Sequence, residues 1–381
     1  MLDCHEGKRA RRCDCGGGDC RTSRCCIDQV HAPLDDRGWR ASSVQGRAQS
    51  GSVGGGVRVL VTGSSGFIGT NLVGHLATKD DVEAVVGVDI QPPKWRPEGA
   101  TFVALDVMDR QSLLATVARV CPTHIVHLAA RTDMRGATIA EYAVNYGGVA
   151  NVALAAERSG AHFVSFSSRL VFRIGAPVRT DYDYSATTDY GVSKIIGEQV
   201  ARLSRCKWTI IRPTSLWGPW FGTPYADFFR AVSRRRYLHV CPRRRIFKQF
   251  GYIGNAVVTI ERLLNAPIER TVERVFWLAD YEPLEVGEWA DLIASEFGVA
   301  GPSSVPVLLL RGAAAVGDVL QRRGIAAPIT SFRLSNLLTD MRYDLGATRE
   351  VAGALPSTVA EGTQRTVEWI RSRDGSIQNG G

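Results

Sequence analysis

VRVLVTGSSGFIGTNL, residues 57–72, runs a β-branched apolar segment straight into three glycines, Gly63, Gly66 and Gly69, and then at once into an amphipathic pattern. A strand that ends on Gly63 can turn tightly. Gly66 carries no side chain to obstruct a pyrophosphate, and Gly69 lets the following helix lie against the sheet. The start of that helix supplies N–H groups without intrahelical partners and a partial positive charge. Gly63, Ser65, Gly66, Phe67, Ile68 and Gly69 are therefore the candidate phosphate-cradling residues.

Outward from this turn the chain alternates. The strand-like runs AVVGVDI, TFVALDV, HIVHLAA, AHFVSFS and WTIIRP are separated by helical stretches such as RQSLLATVARV and EYAVNYGGVANVALAAER. Continuous apolar strands between amphipathic helices indicate a parallel sheet covered on both faces, a doubly wound α/β domain that binds its ligand at the carboxyl ends of the strands. This Rossmann-like domain is expected over 57–212, with a smaller, mainly substrate-binding lobe over 213–372. Within the lobe, VFWLAD reads as a further strand and LEVGEWADLIASEFG as a helix, so 255–298 is expected to return to the sheet. Residues 373–381 read as a flexible tail, and no internal repeat is visible.

Asp89 closes the second strand 26 residues after Gly63, where a carboxylate can accept both ribose hydroxyls of an adenosine. It would repel a 2′-phosphate, which favours NAD over NADP. Asp106 and Val107, at the end of the third strand, are candidates for the adenine. In DYGVSKIIGEQVARL, Tyr190 and Lys194 are four apart and share one helix face. An ammonium close to a phenol favours the phenolate, so Lys194 is expected to lower the Tyr190 pKa toward that of a general base.

With these residues in place, the chain resembles the extended short-chain dehydrogenase/reductase family, in particular its NAD-dependent sugar-nucleotide epimerase/dehydratase branch. The resemblance covers nearly all of 57–372 and rests on TGSSGFIG (62–69), HLAA (127–130), SFSSRLVF (165–172), YGVSK (190–194) and RPTSLWGP (212–219). It implies a catalytic set of Ser168, Tyr190 and Lys194, in which the Tyr exchanges a proton with a sugar hydroxyl, the Ser hydrogen-bonds that oxygen and the Lys holds the nicotinamide ribose. It also implies that Leu128, Ala129, Ala130 and Pro213 line the cofactor, and that Asn145, Ser215 and Lys248 are substrate contacts. Arg333 and Arg342 are further candidate phosphate ligands, with a surface role as the alternative.

This sequence departs from the family pattern in four places. Where the 4,6-dehydratases carry an Asp-Glu pair after the catalytic residue, it has Arg169-Leu170, so dehydration lacks its acid and base. Ser215 stands in place of a longer Asn, and Gly254-Asn255 in place of an acid. Lys248, at a position where the family has Arg, can meet a pyrophosphate only as a point charge.

Composition bounds the remaining possibilities. The chain has 381 residues, 45% hydrophobic and 22% charged, as in an ordinary globular protein. Its net charge of +8 is concentrated at Arg234, Arg235, Arg236, Arg243, Arg244, Arg245 and Lys248, which reads as a solvated face, a site for a phosphate-bearing substrate or a nucleic-acid patch. No apolar run reaches the ~18–20 residues of a membrane span. Residues 1–56 hold six of the nine cysteines in an order that fits zinc spacing poorly, so no metal is expected. They read as a disordered tail or as a start placed upstream of the native one.

The expected function is that of a cytoplasmic, homodimeric, NAD-dependent epimerase of a nucleotide-linked sugar, acting through a transient 4-keto intermediate, with neither nucleic acid nor membrane as partner. A 4-keto-sugar reductase or another alcohol dehydrogenase of the family is the alternative, and a nucleotide-sensing or RNA-binding protein on the same fold is a third. The complete Ser168, Tyr190, Lys194 set argues against the last, because a binding module has no need of it.

Overall fold

A computed structural model of the chain describes residues 56–241, 245–323, 325, 327 and 330–378. The expectation about 1–56 falls outside the described residues except for Gly56, as do Arg243 and Arg244 of the basic run.

The first half builds β1 (Val57–Thr62), α1 (Phe67–Leu76), β2 (Val82–Asp89), β3 (Ala100–Ala104), α2 (Arg110–Val120), β4 (His124–His127), α3 (Val144–Ser159), β5 (His162–Phe166), α4 (Asp189–Leu203) and β6 (Trp208–Pro213). The second half adds β7 (Ser215–Trp217), α5 (Tyr225–Ser233), β8 (Leu238–Cys241), β9 (Phe247–Lys248), β10 (Phe250–Tyr252), α6 (Ile253–Asn265) and β11 (Arg274–Leu278). It continues through β12 (Leu284–Glu285), α7 (Val286–Phe297), β13 (Ser303–Pro306), α8 (Val307–Arg322), α9 (Ser331–Leu338), α10 (Gly346–Ala352) and α11 (Val359–Gln378).

Seven strands form one sheet in the order β11-β6-β5-β4-β1-β2-β3, and every pairing in it is parallel. Successive side chains of a strand face opposite ways, and the sequence uses both faces. Val59 and Val61 join Leu72 and Val73 of α1 and Ile260 and Leu263 of α6 in one core. Leu60 between them joins Leu113 of α2 and Val149 and Val152 of α3 in the other. This is the doubly wound sheet, and it brings the carboxyl ends of β1, β2, β4, β5 and β6 to one edge.

Of the segment expected to return to the sheet, β11 does so beside β6, and α6 packs on α1. Helix α7 does not. It packs against α5 and α11 instead, with Trp289 4.9 Å from Trp217 and 5.5 Å from Phe229, ring centroid to ring centroid. The apolar stripe of α7 is the same whichever element covers it, so its periodicity could not name the partner. The expected tail is corrected in the same way. Helix α11 continues through Gln378, and the Arg373 guanidinium lies over the Trp220 ring at 3.9 Å and over Trp369, one turn earlier, at 5.3 Å. That stacking holds the helix beyond the point where apolar periodicity fades. Among the described residues, no helix is long and apolar enough to cross a membrane.

Candidate active site

The turn after β1 shows why each glycine is there. Gly63 has φ +70°, and a Cβ on it would stand 2.5 Å from the Ala129 nitrogen and 2.6 Å from the Leu128 carbonyl carbon. A Cβ on Gly69 would stand 2.2 Å from the Gly63 oxygen. Gly66 is different, because its Cβ would meet only the Gly63 oxygen, at 3.1 Å, and otherwise open space. Gly66 also caps α1 with no side-chain oxygen over the helix end. A bare helix N-terminus with room before it suits a diphosphate, so the residues present fit a dinucleotide.

Around this turn Asp89 accepts from the Ser65 N–H at 3.0 Å and from the Gln91 N–H at 2.9 Å, and Ser65 Oγ donates to the Gln91 carbonyl at 2.8 Å. Phe67 and Ile68 are half-buried against the core. Asp106 is exposed and accepts from the Met108 N–H at 2.9 Å, while Val107 is buried and its carbonyl accepts from Asn151. The Leu128 and Ala129 N–H groups both donate to Thr62, at 3.0 Å to its carbonyl and 3.3 Å to its hydroxyl, with Ala130 half-buried beyond them. Pro213 ends β6 opposite Leu278.

Ser168, Tyr190 and Lys194 come together at the carboxyl end of β5, with relative exposures of 8%, 8% and 6%. Helix α4 starts where Thr188 Oγ1 accepts from the Gly191 N–H at 3.1 Å. Gly191 has to be small, since a Cβ would lie 2.3 Å from the Leu170 oxygen. That close approach sets the helix against the Ser168 loop. Burial pushes the Tyr190 phenol up, while a hydrogen bond with the Ser168 side chain and the nearby Arg169 guanidinium pull it down. The expectation that Lys194 performs this lowering is corrected. Its ammonium donates to the Phe166 carbonyl at 2.9 Å, and its own pKa is lowered by burial to about 8. Beside Tyr190 opens a cleft of about 440 Å³ whose walls include Met134, Tyr142, Thr187 and Asp189.

Three of the expected substrate contacts turn out otherwise. Asn145 is fully buried, and its amide is spent inside the protein. Its Oδ1 accepts from the Arg131 N–H at 2.8 Å, and its Nδ2 donates to the Arg131 carbonyl and to Ser193 Oγ, both at 2.9 Å. It therefore ties the loop after β4 to α4. Lys248 is 2% exposed and donates to the Asn336 carbonyl at 2.6 Å and to the Thr339 carbonyl. Its ammonium serves the carbonyl end of α9, and burial followed by the Arg169 charge lowers its pKa to about 8. Arg342 is exposed and stacks on Phe247 at 4.9 Å. Ser215 is half-buried and hydrogen-bonds the Tyr225 phenol. Arg333 lies in α9, and its side chain is outside the described residues.

Two charged residues carry more of this region than their sequence signals suggest. Glu198 is buried and receives Arg212 on both oxygens, at 2.8 and 2.7 Å, together with the Ser167 and Tyr184 hydroxyls, which fastens α4 to β5 and β6. Its position four residues after Lys194 on the same face was a usable signal. Arg169 acts electrostatically on Tyr190 and hydrogen-bonds Tyr343, and the only sign of it was an arginine directly after Ser168.

Residues 59–271 match the model of the NAD dependent epimerase/dehydratase family. The chain belongs to that family. A UDP-glucose 4-epimerase of Vibrio cholerae is 26% identical over 328 residues, which cover 81% of this chain and 94% of the relative. Among solved structures, the Bordetella bronchiseptica enzyme WbmG in complex with NAD and UDP matches with a TM-score of 0.65 at 21% identity, over 84% of this chain and 96% of that one. The UDP-glucuronic acid 4-epimerase from Bacillus cereus, in complex with UDP-glucuronic acid and NAD, matches with a TM-score of 0.65 at 16% identity, over 83% and 100%. At such identities the structural likeness speaks for the fold.

Proposed function

We propose that this enzyme epimerises a nucleotide-linked sugar, using NAD and the set Ser168, Tyr190 and Lys194. The observation that carries the reading is the hydrogen bond between the Ser168 side chain and the Tyr190 phenol, with Lys194 buried one turn along α4. A serine and a tyrosine so joined can hold one sugar hydroxyl between them. Bound NAD would supply a reversible two-electron acceptor for the carbon bearing that hydroxyl. Tyr190 takes the hydroxyl proton as the carbon is oxidised and returns it on reduction, and Ser168 keeps a hydrogen bond to the oxygen throughout. Gly63, Ser65, Gly66, Phe67 and Ile68 would hold the diphosphate, Asp89 the adenosine ribose, and Lys194 the nicotinamide ribose.

Epimerisation is favoured over dehydration because Arg169 and Leu170 offer no acid and base for expelling water. The Vibrio cholerae relative, a UDP-glucose 4-epimerase, supports the same choice. The test is to incubate the NAD-loaded protein with a panel of UDP-sugars and follow the epimer ratio by NMR. Turnover should fall ~10²–10⁴-fold in Tyr190→Phe, with NAD still bound. Turnover surviving Tyr190→Phe within about threefold would exclude this use of the phenol.

A further inference from the structure

Arg169 directly follows Ser168, and its guanidinium acts electrostatically on Tyr190, Tyr225, Tyr343 and Lys248 while hydrogen-bonding Tyr343. These neighbours come from α4, α5, β9 and the segment after α9. They comprise three phenols and a second cation, Lys248, whose ammonium also feels the Asp340 carboxylate. Lys248 is already held by two carbonyls, and the Tyr190 and Tyr225 phenols by Ser168 and Ser215. One terminal nitrogen of Arg169, Nη1, is shielded from solvent and has no hydrogen-bond partner among the described residues.

An unpaired donor on a buried cation is costly, and a guanidinium is best satisfied by a planar oxyanion. We infer that Arg169 determines substrate specificity, its guanidinium receiving a carboxylate on the sugar next to the carbon whose hydroxyl meets Tyr190, so that the substrate is a nucleotide-linked sugar acid. The inference rests on the proposed nucleotide-sugar reading and narrows it. A neutral hydroxymethyl group at the same place would leave the Nη1 hydrogens without an anionic acceptor. A carboxylate would meet the guanidinium charge and take the free Nη1 hydrogens.

The experiment compares UDP-glucuronic acid with UDP-glucose, a 6-carboxylate against a 6-hydroxymethyl group on the same nucleotide and ring. Binding to the NAD-loaded Tyr190→Phe protein, which holds ligand without turning it over, is measured by calorimetry. UDP-glucuronic acid should bind at least about tenfold more tightly. Arg169→Met in that background should reduce the ratio to within about threefold, and Arg169→Lys, which keeps the charge but not the fork, should restore part of it. Equal affinity for the two ligands with Arg169 in place would overturn the inference, with no variant required. So would a ratio that persists in Arg169→Met. An equal loss of both ligands in Arg169→Met would place the guanidinium on the diphosphate and overturn it as well. If neither ligand binds while NAD does, the nucleotide-sugar reading fails and takes this inference with it.

Discussion

Lys194 donates its ammonium to the Phe166 carbonyl at 2.9 Å, so the same side chain expected to hold a cofactor ribose also ties α4 to the end of β5. Its replacement should therefore have two effects. In Lys194→Met the NAD dissociation constant should rise by at least about tenfold, and in Tyr190→Phe it should stay within about threefold. Cofactor titration followed by fluorescence separates them. If both variants bind NAD alike, the ammonium has no part in holding it.

The glycine turn makes a sharper contrast. Gly63→Ala places a Cβ against the Ala129 backbone at φ +70°, and neither can yield. That variant should lose stability on the order of 2 kcal/mol or more and be recovered poorly in soluble form. Gly66→Ala meets only one oxygen at 3.1 Å and should keep most of its melting temperature while losing NAD affinity. Thermal melts with and without NAD read both effects. Equal damage to the fold by the two substitutions would remove Gly66 from the ligand's path.

Asp89, proposed to hold the adenosine ribose, also accepts two backbone N–H groups. The unaltered enzyme should prefer NAD to NADP by at least about tenfold, since a carboxylate repels a 2′-phosphate. Asp89→Ala should narrow that gap, and it should also cost about 1–2 kcal/mol of stability, because Ser65 and Gln91 each lose an acceptor. Competitive binding of the two dinucleotides measures the first effect and denaturant melts the second. No preference in the unaltered protein would exclude the assignment.

Acid should weaken the fold through three histidines. Burial lowers His124 and His162 to about 4 and His127 to about 3. His162 and His127 hydrogen-bond Thr209 and Thr62, and His124 lies 5.5 Å from His162, centroid to centroid. The unfolded chain takes up these protons near 6.5 and the folded one does not. The stability they contribute is therefore complete above 6.5 and is lost as pH falls toward 4. Asp280, pushed up by burial to about 6, keeps its proton in the fold below that pH and opposes part of the loss. The melting temperature should fall from pH 7 to 5, and His124→Gln should flatten the dependence by about one proton. An unchanged slope in His124→Gln would mean that this imidazole charges freely in the native state.

The sheet was legible because its strands bury both faces and read as unbroken apolar runs. Helix α4 was legible in DYGVSKIIGEQVARL, where Tyr190 and Lys194 are four apart and share one face. What escaped the sequence was the direction in which charged and amide groups point. Lys248 was expected to face a diphosphate, but its partners are carbonyls 88 and 91 residues further on. The Asn145 amide, expected at the substrate, bridges the loop after β4 to α4 across 14 and 48 residues. Residue type states what a group can do, and only tertiary neighbours say whether its capacity is already used. Arg169 is the reverse case. It was noted for the acid and base it displaces, while one of its nitrogens is left unpaired among the described residues.

The seventh strand has a consequence for how the molecule is made. β11 completes the sheet beside β6, yet the chain reaches it only after running through β7–β10, α5 and α6. On the ribosome, the nascent chain therefore carries WTIIRP as a raw, apolar sheet margin until Leu278 has emerged, a margin open to pairing with any other nascent chain. A gene cut after Pro213 would freeze that state and give a product that aggregates instead of a free-standing dinucleotide module.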